Sequence, residues 1–139
     1  MNRIFTAAVV VLAACDRPDS PQTAADRAQL ADARAACVQL FERQRACTDD
    51  FIPALVDLRR ELDAPKGVAS LPRADTVRAA LEEWKADSTD EAIASQCERL
   101  APKLPAAAVT QARGCVAVGP CGEFVGCVMP LMRAQLSVP

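Results

Sequence analysis

Seven cysteines are the residues of this chain whose type and spacing could do chemistry. A cysteine thiolate can bind a soft metal, exchange with a disulfide or take up a covalent group. Histidine, the usual partner of cysteine in zinc sites and catalytic pairs, is absent from all 139 residues. The cysteines are Cys15, Cys37, Cys47, Cys97, Cys115, Cys121 and Cys127.

The spacing of these cysteines argues against a metal or cofactor site. From Cys37 onward the gaps hold nine, 49, 17, five and five residues, so the C-x-x-C that starts zinc knuckles and thioredoxin-like sites is missing. A Cu(I) site could be drawn at Cys127, Met129 and Met132, since thiolate and thioether suit that ion. Two methionines beside a proline in an apolar helix fit packing better, and we predict no cofactor and no metal.

The first cysteine ends an apolar segment at the start of the chain. Residues 4–14 form a run of eleven apolar or small residues after the single cation Arg3. The run is too short to span a bilayer, which takes about 20 residues, but it matches the apolar part of a secretory signal. Its end, Leu12-Ala13-Ala14-Cys15, resembles the lipobox of bacterial lipoproteins. The resemblance implies that Cys15 receives a thioether-linked diacylglycerol, that the chain is cut before it, and that the new amino terminus is acylated.

This resemblance predicts the organisation and location of the chain. We predict a signal peptide at 1–14, a lipidated cysteine with a polar, proline-containing tether at 15–25, and a helical domain at 26–139. The anchored protein would sit in the bacterial cell envelope and face the periplasm. Asp16 directly after the cysteine resembles an inner-membrane retention signal of enterobacterial lipoproteins, with the outer membrane as the alternative. A plain secreted protein is the competing interpretation.

Six cysteines remain once Cys15 is assigned to lipid. An even set in an oxidising compartment predicts three disulfides. Within one helix, Cys37 and Cys47 would be about 15 Å apart and Cys121 and Cys127 about 9 Å, beyond the limit of about 7 Å between bridged Cα atoms. The bridges must therefore join different elements. If the first helix runs antiparallel to the last one, the predicted pairs are Cys37–Cys127 and Cys47–Cys115, which leaves Cys97–Cys121.

Beyond the tether, apolar residues recur at helical spacing almost throughout. In the first helix, five of six positions of one stripe are apolar and Gln44 is the polar exception. The stripe consists of Leu30, Ala33, Cys37, Leu40, Gln44 and Cys47. The second helix opens at Asp49 and Asp50, with Pro53 in its first turn, and residues 63–72 form a loop.

The remaining sequence predicts four more helices. A Ser88/Glu91 capping box starts the fourth helix, Gly114 ends the fifth, and Pro130 kinks the last. The third helix carries Val77, Ala80, Leu81 and Trp84 on one face, the fifth covers 106–113 and the last 122–136. No segment alternates apolar and polar residues as a strand would. The sequence predicts an all-α bundle of five or six short helices stapled by about three disulfides.

The residues needed for common catalytic arrangements are missing. The chain has no histidine and no tyrosine, and it lacks a glycine-rich phosphate loop and a G-x-S-x-G motif. Glu82 and Glu83 are adjacent on a helix and cannot face each other, so a solvated face explains them, as it does Arg59 and Arg60. We therefore predict that the protein is not an enzyme.

Two further residues could contact a partner. Trp84 is the only tryptophan, but its spacing with Val77 and Leu81 favours core packing. Glu123 fits the acidic first turn of the last helix. Nucleic acid is disfavoured, because the chain after Ala14 has 15 bases against 18 acids and few aromatic residues.

Two hypotheses about function remain. The favoured one is a non-enzymatic interaction or structural module on a lipid anchor, which contacts the bilayer through acylated Cys15 and binds another envelope protein. The alternative is a periplasmic thiol-redox or metal-handling protein that uses Cys115, Cys121 and Cys127. A small-ligand carrier is a third option that the sequence neither supports nor excludes. The first hypothesis predicts no titratable thiol in the native protein, and the redox hypothesis predicts at least one accessible thiol or a bound metal.

Overall fold

The computed structural model describes residues 23–137 of the chain, and the predicted signal peptide, Cys15 and most of the tether lie outside that range. Within it the fold is all-α, with six α-helices, two short 3-10 turns and no strand, as the periodicity predicts. The α-helices are α1 (Ala24–Ala46), α2 (Thr48–Glu61), α3 (Arg73–Asp87), α4 (Asp90–Leu100), α5 (Ala106–Val116) and α6 (Cys121–Leu136). The 3-10 turns are Val68–Ser70 and Ala101–Lys103.

A capping box starts α1. The Asp26 backbone N–H donates to the Thr23 hydroxyl at 3.1 Å, and the Thr23 backbone N–H donates to the Asp26 carboxylate at 2.9 Å. These two bonds satisfy amide groups that have no partner inside the helix. The helix thus begins at Ala24, two residues before the predicted domain boundary at 26.

Two predicted helix boundaries are wrong, as is the predicted position of Pro53 within α2, whereas Asp49 and Asp50 lie in the first turn of α2 as predicted. The cap of α4 is Thr89, whose backbone is extended and whose hydroxyl accepts from the Ala92 N–H at 3.2 Å. Ser88 instead ends α3, where its N–H donates to the Trp84 carbonyl. Gly114 lies inside α5, and because α2 already begins at Thr48, Pro53 falls in its second turn.

The helices form two arms that meet at Cys47. In one arm α1 packs on α4 and α5, and in the other α2 packs on α3 and α6. The consecutive helices α1 and α2 have few contacts with each other, so they diverge from the single residue that separates them. The pairs α3/α4 and α5/α6 connect the two arms.

The two arms have different cores. The larger cluster fills the α2 arm and the corner, and its buried members include Phe51, Ile52, Val56, Phe124 and Val128. The α1 arm holds two small clusters, one of alanines with Val109 and one made of Cys37, Ile93 and Cys97. Small side chains bury little apolar area, so burial alone holds the α1 arm less firmly than the α2 arm.

Candidate functional site

All six cysteines of the described domain form disulfides, as the even count predicts. Cys37–Cys97 joins α1 to α4, Cys47–Cys121 joins the corner to the start of α6, and Cys115–Cys127 joins α5 to α6. Their Cα atoms lie 5.4 to 5.7 Å apart, within the normal range. Each bridge joins different elements, as the helix geometry requires.

The predicted pairing of these cysteines is wrong at all three bridges. It assumed that the first helix runs antiparallel along the last one, which would pair Cys37 with Cys127. In the structure α1 lies against α4 and α5, so Cys37 meets Cys97 of α4. The corner residue Cys47 meets the first residue of α6, and the α5/α6 pair closes on itself. The observed pairs thus differ from the predicted pairs, which were Cys37–Cys127, Cys47–Cys115 and Cys97–Cys121.

The residues of the redox and metal hypothesis lie at the corner. Cys115 is fully buried, and Cys121 and Cys127 are half-buried against the main core. Met129 and Met132 pack on the same cluster. In the described range, no group of three or more His, Cys, Asp or Glu side chains is placed to hold a metal ion.

Arg43 connects the corner to the turn between α5 and α6, a role that the sequence pattern does not indicate. Its Nη2 donates to the Val118 carbonyl at 3.2 Å and also to the carbonyl of Gly119. Its guanidinium carbon lies 5.6 Å from the centre of the Phe124 ring, a cation–π arrangement. The same side chain therefore organises the turn that presents Cys121 to Cys47.

Trp84 packs in the core of the α2 arm, as its spacing predicts. Its ring stacks on Phe41 with centroids 6.3 Å apart and is tilted against Phe51 at 5.7 Å. The indole N–H donates to the Thr48 hydroxyl at 3.0 Å. Glu123 is exposed in the first turn of α6, also as predicted.

The charged pairs singled out in the sequence behave differently from one another. Glu82 forms an exposed ion pair with Lys85, in keeping with a solvated face. Arg59 and Arg60 are half-buried, so they are less solvated than Glu82 and Glu83. Arg60 Nη1 donates to the Val68 carbonyl at 3.3 Å and to that of Leu71, which holds the loop after α2.

A central cavity of about 770 Å³ lies between the two arms, and all six helices contribute to its lining. Most of the lining is apolar and includes Leu40, Phe41, Phe51, Leu55, Trp84 and Met132. Among the residues that line it, Gln44 is the only buried polar side chain, with 3% exposure. Within the described range its amide has no hydrogen-bond partner from the protein.

Charged residues of both signs surround this cavity where it opens to solvent. Glu83, Asp87 and Lys103 are exposed, and Arg59 is half-buried on the last turns of α2. Two bases and two acids give this rim no net charge. The sequence signal for the cavity was the polar Gln44 in an otherwise apolar stripe, whereas nothing in the local pattern distinguished Arg59.

A shallower groove runs along the exposed side of α1. Its floor is formed by Leu30, Ala31, Ala35 and Val38, and an exposed ion pair between Arg34 and Glu98 at 2.7 Å crosses its side. Leu30 and Leu71 are the large apolar side chains exposed in the described range. The groove thus combines an apolar strip with charged edges.

No family model, curated protein or solved structure matches this chain. Within the described range, no helix is both long enough and apolar enough to cross a membrane.

Proposed function

We propose that the chain is a lipid-anchored envelope protein whose helical domain is a non-enzymatic interaction module facing the periplasm. The observation that carries the proposal is the closed disulfide set, because six cysteines paired across separate elements suit a rigid head that works in an oxidising compartment. The lipobox-like run ending at Cys15 supplies the anchor, and the tether lifts the head from the bilayer. Asp16 favours the inner membrane.

The groove on α1 is the surface we assign to the envelope protein partner. It extends along α1 from Arg27 to Glu42, and the Arg34–Glu98 pair lies at its apolar floor. Interfaces commonly combine an apolar centre with a polar rim. A flat strip of alanines with Leu30 and Val38 fits a helix or loop of another protein, which the tether would allow the head to reach.

The test is site-specific photo-crosslinking in the native host. A photoreactive side chain at Ala31, in the groove, should give a discrete cross-linked product, whereas the same side chain at the equally exposed Ala107 on α5 should not. Cys15→Ala should move the protein out of the membrane fraction and remove the product. Equal products from Ala31 and Ala107, or unchanged fractionation of Cys15→Ala, would contradict the proposal.

The rival hypothesis, a thiol-redox protein, uses the same corner cysteines. It requires that Cys115–Cys127 or Cys47–Cys121 opens during the working cycle and leaves a thiol that reacts in the native state. Each of these bridges has one buried cysteine, Cys115 or Cys47, so an external thiolate could attack it only at the half-buried Cys127 or Cys121. The burial therefore supports the interaction module over the redox protein.

A further inference from the structure

The central cavity is lined by one buried polar side chain, Gln44, for which the described residues supply no hydrogen-bond partner. Gln44 is 3% exposed. The amide atoms of Gln44 are not fully enclosed by protein, since Arg43 Nε is the only fully buried side-chain N or O atom without a partner among the described residues. The amide is therefore open to a molecule in the cavity, and polar groups in such places are normally bonded to water or ligand. A glutamine amide offers two donors and an acceptor, which can meet a hydroxyl or a carbonyl equally well.

The size of the cavity favours a small molecule as its occupant. Its volume of about 770 Å³ lies within the roughly 300–1,000 Å³ typical of ligand sites, which are mostly apolar with a few polar groups. If water filled the cavity, on the order of 25 molecules, at about 30 Å³ each, would lie against apolar side chains such as Leu55 and Met132. An apolar molecule would remove that surface from water.

The charges around the cavity indicate a neutral ligand. The one buried polar group is an uncharged amide, and no ionised side chain is buried in the lining. Arg59 and Lys103 at the rim are balanced by Glu83 and Asp87, so the rim does not select one sign. Arg59 also lies twelve residues beyond the corner on α2, a rise of about 18 Å, so it does not serve the region of Gln44.

We infer that the central cavity binds a neutral apolar small molecule that carries a hydroxyl or carbonyl group, and that Gln44 hydrogen-bonds that group. The prototype is a long-chain alcohol. The inference rests on the helical domain alone and does not depend on the lipid anchor or on the groove of α1.

The experiment uses photo-labelling of the full processed chain purified from its host, in phospholipid nanodiscs if the chain carries acyl groups and in buffer if it does not. The probe is hexadecanol with a mid-chain diazirine. Labelling should be saturable, should map to cavity-lining peptides of α2 and α6, and should be competed at least tenfold better by hexadecanol than by palmitate or hexadecylamine. Labels spread over exposed helix faces, or better competition by either charged compound, would overturn the inference.

Matched variants test the role of Gln44. Gln44→Leu should lower the preference for the alcohol over a hydrocarbon of the same length by about fivefold, whereas Gln39→Leu, at an exposed position of the same helix, should leave it unchanged. Ala108→Phe, which fills part of the cavity, should remove most labelling. An unchanged preference in Gln44→Leu would contradict the assigned hydrogen bond.

Fluorescence gives a second readout that needs no variant. Trp84 is the only tryptophan of the chain and lines the cavity, so a brominated long-chain alcohol should quench its emission saturably at one molecule per chain. Absence of saturable quenching in the wild-type protein would contradict the inference. This readout remains valid even if Ala108→Phe fails to fold. A cross-link from the cavity wall to a protein segment would instead identify a partner chain as the occupant, and would likewise overturn it.

Discussion

At the scale of single residues, Arg43 does the most to fix the corner where the two arms meet. Its guanidinium donates to two carbonyls of the α5/α6 turn and covers the Phe124 ring. Hydrogen bonds from a charged donor contribute roughly 1.5–3 kcal/mol, more than neutral ones do. The turn that carries Cys121 therefore depends on one side chain from α1.

Replacement of Arg43 by methionine should destabilise the domain by about 2 kcal/mol, because methionine keeps the apolar stem but leaves the two carbonyls without a donor. Urea unfolding followed by circular dichroism measures the change. Arg99→Met is the matched control, since Arg99 is exposed and bonds only to Ser95, and it should change stability by less than about 0.5 kcal/mol. Equal effects of the two variants would show that Arg43 is not the organising residue.

Two ion pairs at the outer end of α2 make stability depend on pH. Arg133 donates to both carboxylate oxygens of Glu61, at 2.9 and 2.7 Å, and this hydrogen bonding lowers the pKa of Glu61. Hydrogen bonds from Arg73 lower the pKa of Asp57 in the same way. A carboxyl group with a lowered pKa in the folded state binds fewer protons there than in the unfolded chain, so these pairs stabilise the fold as pH rises.

Their contribution should be complete above the unfolded-state pKa of about 4 and should disappear as pH falls through the lowered folded-state values. Glu61→Gln should therefore lower Tm modestly at pH 7, where the pair is fully formed, and reduce the slope of Tm against pH below about 4, so that the curves of variant and wild type converge at low pH. Glu91→Gln, at an exposed carboxyl without such a pair, serves as the control. A steeper slope for Glu61→Gln than for the wild type would contradict the assignment. The effect should be modest because both pairs are exposed.

At the scale of elements, the disulfides compensate for an uneven core. The buried members of the cluster between α1 and α4 are Ile93 and the two cysteines of one bridge, whereas the α2 arm buries aromatic and branched residues. A bridge also restricts the unfolded chain more when it closes a longer loop. The Cys37–Cys97 bridge spans 60 residues and Cys115–Cys127 spans 12.

The double variant Cys37→Ala/Cys97→Ala should therefore cost about 4 kcal/mol, against about 3 kcal/mol for Cys115→Ala/Cys127→Ala. Hydrogen exchange should locate the effect: α4 should lose protection first in the former variant while α2 and α6 keep theirs. Uniform loss of protection over all helices would show that the two arms do not open separately.

The sequence predicted the helices well and their arrangement poorly, for a physical reason that the cysteines illustrate. Apolar periodicity is local, so the stripe of Ala33, Cys37 and Gln44 was visible in the chain and is buried in the structure. The choice of partner helix depends on the angle at Cys47, which a single residue in a nonhelical conformation sets. That angle places Cys37 beside α4. The spacing of residues along the chain does not predict the angle.

The candidate sites show the same division between local and distant information. Gln44 stood out as the polar member of an apolar stripe, and its burial follows from that position. Arg60 looked like half of a solvated charged pair, because the carbonyls that it bonds, those of Val68 and Leu71, lie in a loop whose path the helical pattern does not contain. Residues whose role depends on two or more elements meeting therefore escaped prediction.

At the scale of the whole molecule, three covalent bridges hold together a domain whose described part has only a few large buried side chains, Phe51, Phe124 and Ile93 foremost. We expect reduction with a thiol reagent to unfold the domain substantially, because each bridge contributes about 2–4 kcal/mol. Thermal melting by circular dichroism, with and without reductant, measures this. The Tm should fall by more than about 10 °C on reduction. An unchanged Tm would contradict the claim that the fold depends on its disulfides.

The central claim, a lipid-anchored and fully disulfide-closed module, is tested most directly by intact mass. The protein should be extracted from the membranes of its native host and weighed after alkylation, with and without prior reduction. The account predicts a chain that begins at Cys15, carries acyl groups, and takes up six alkyl groups only after reduction. A chain without lipid, or alkylation of Cys115, Cys121 or Cys127 before reduction, would contradict it.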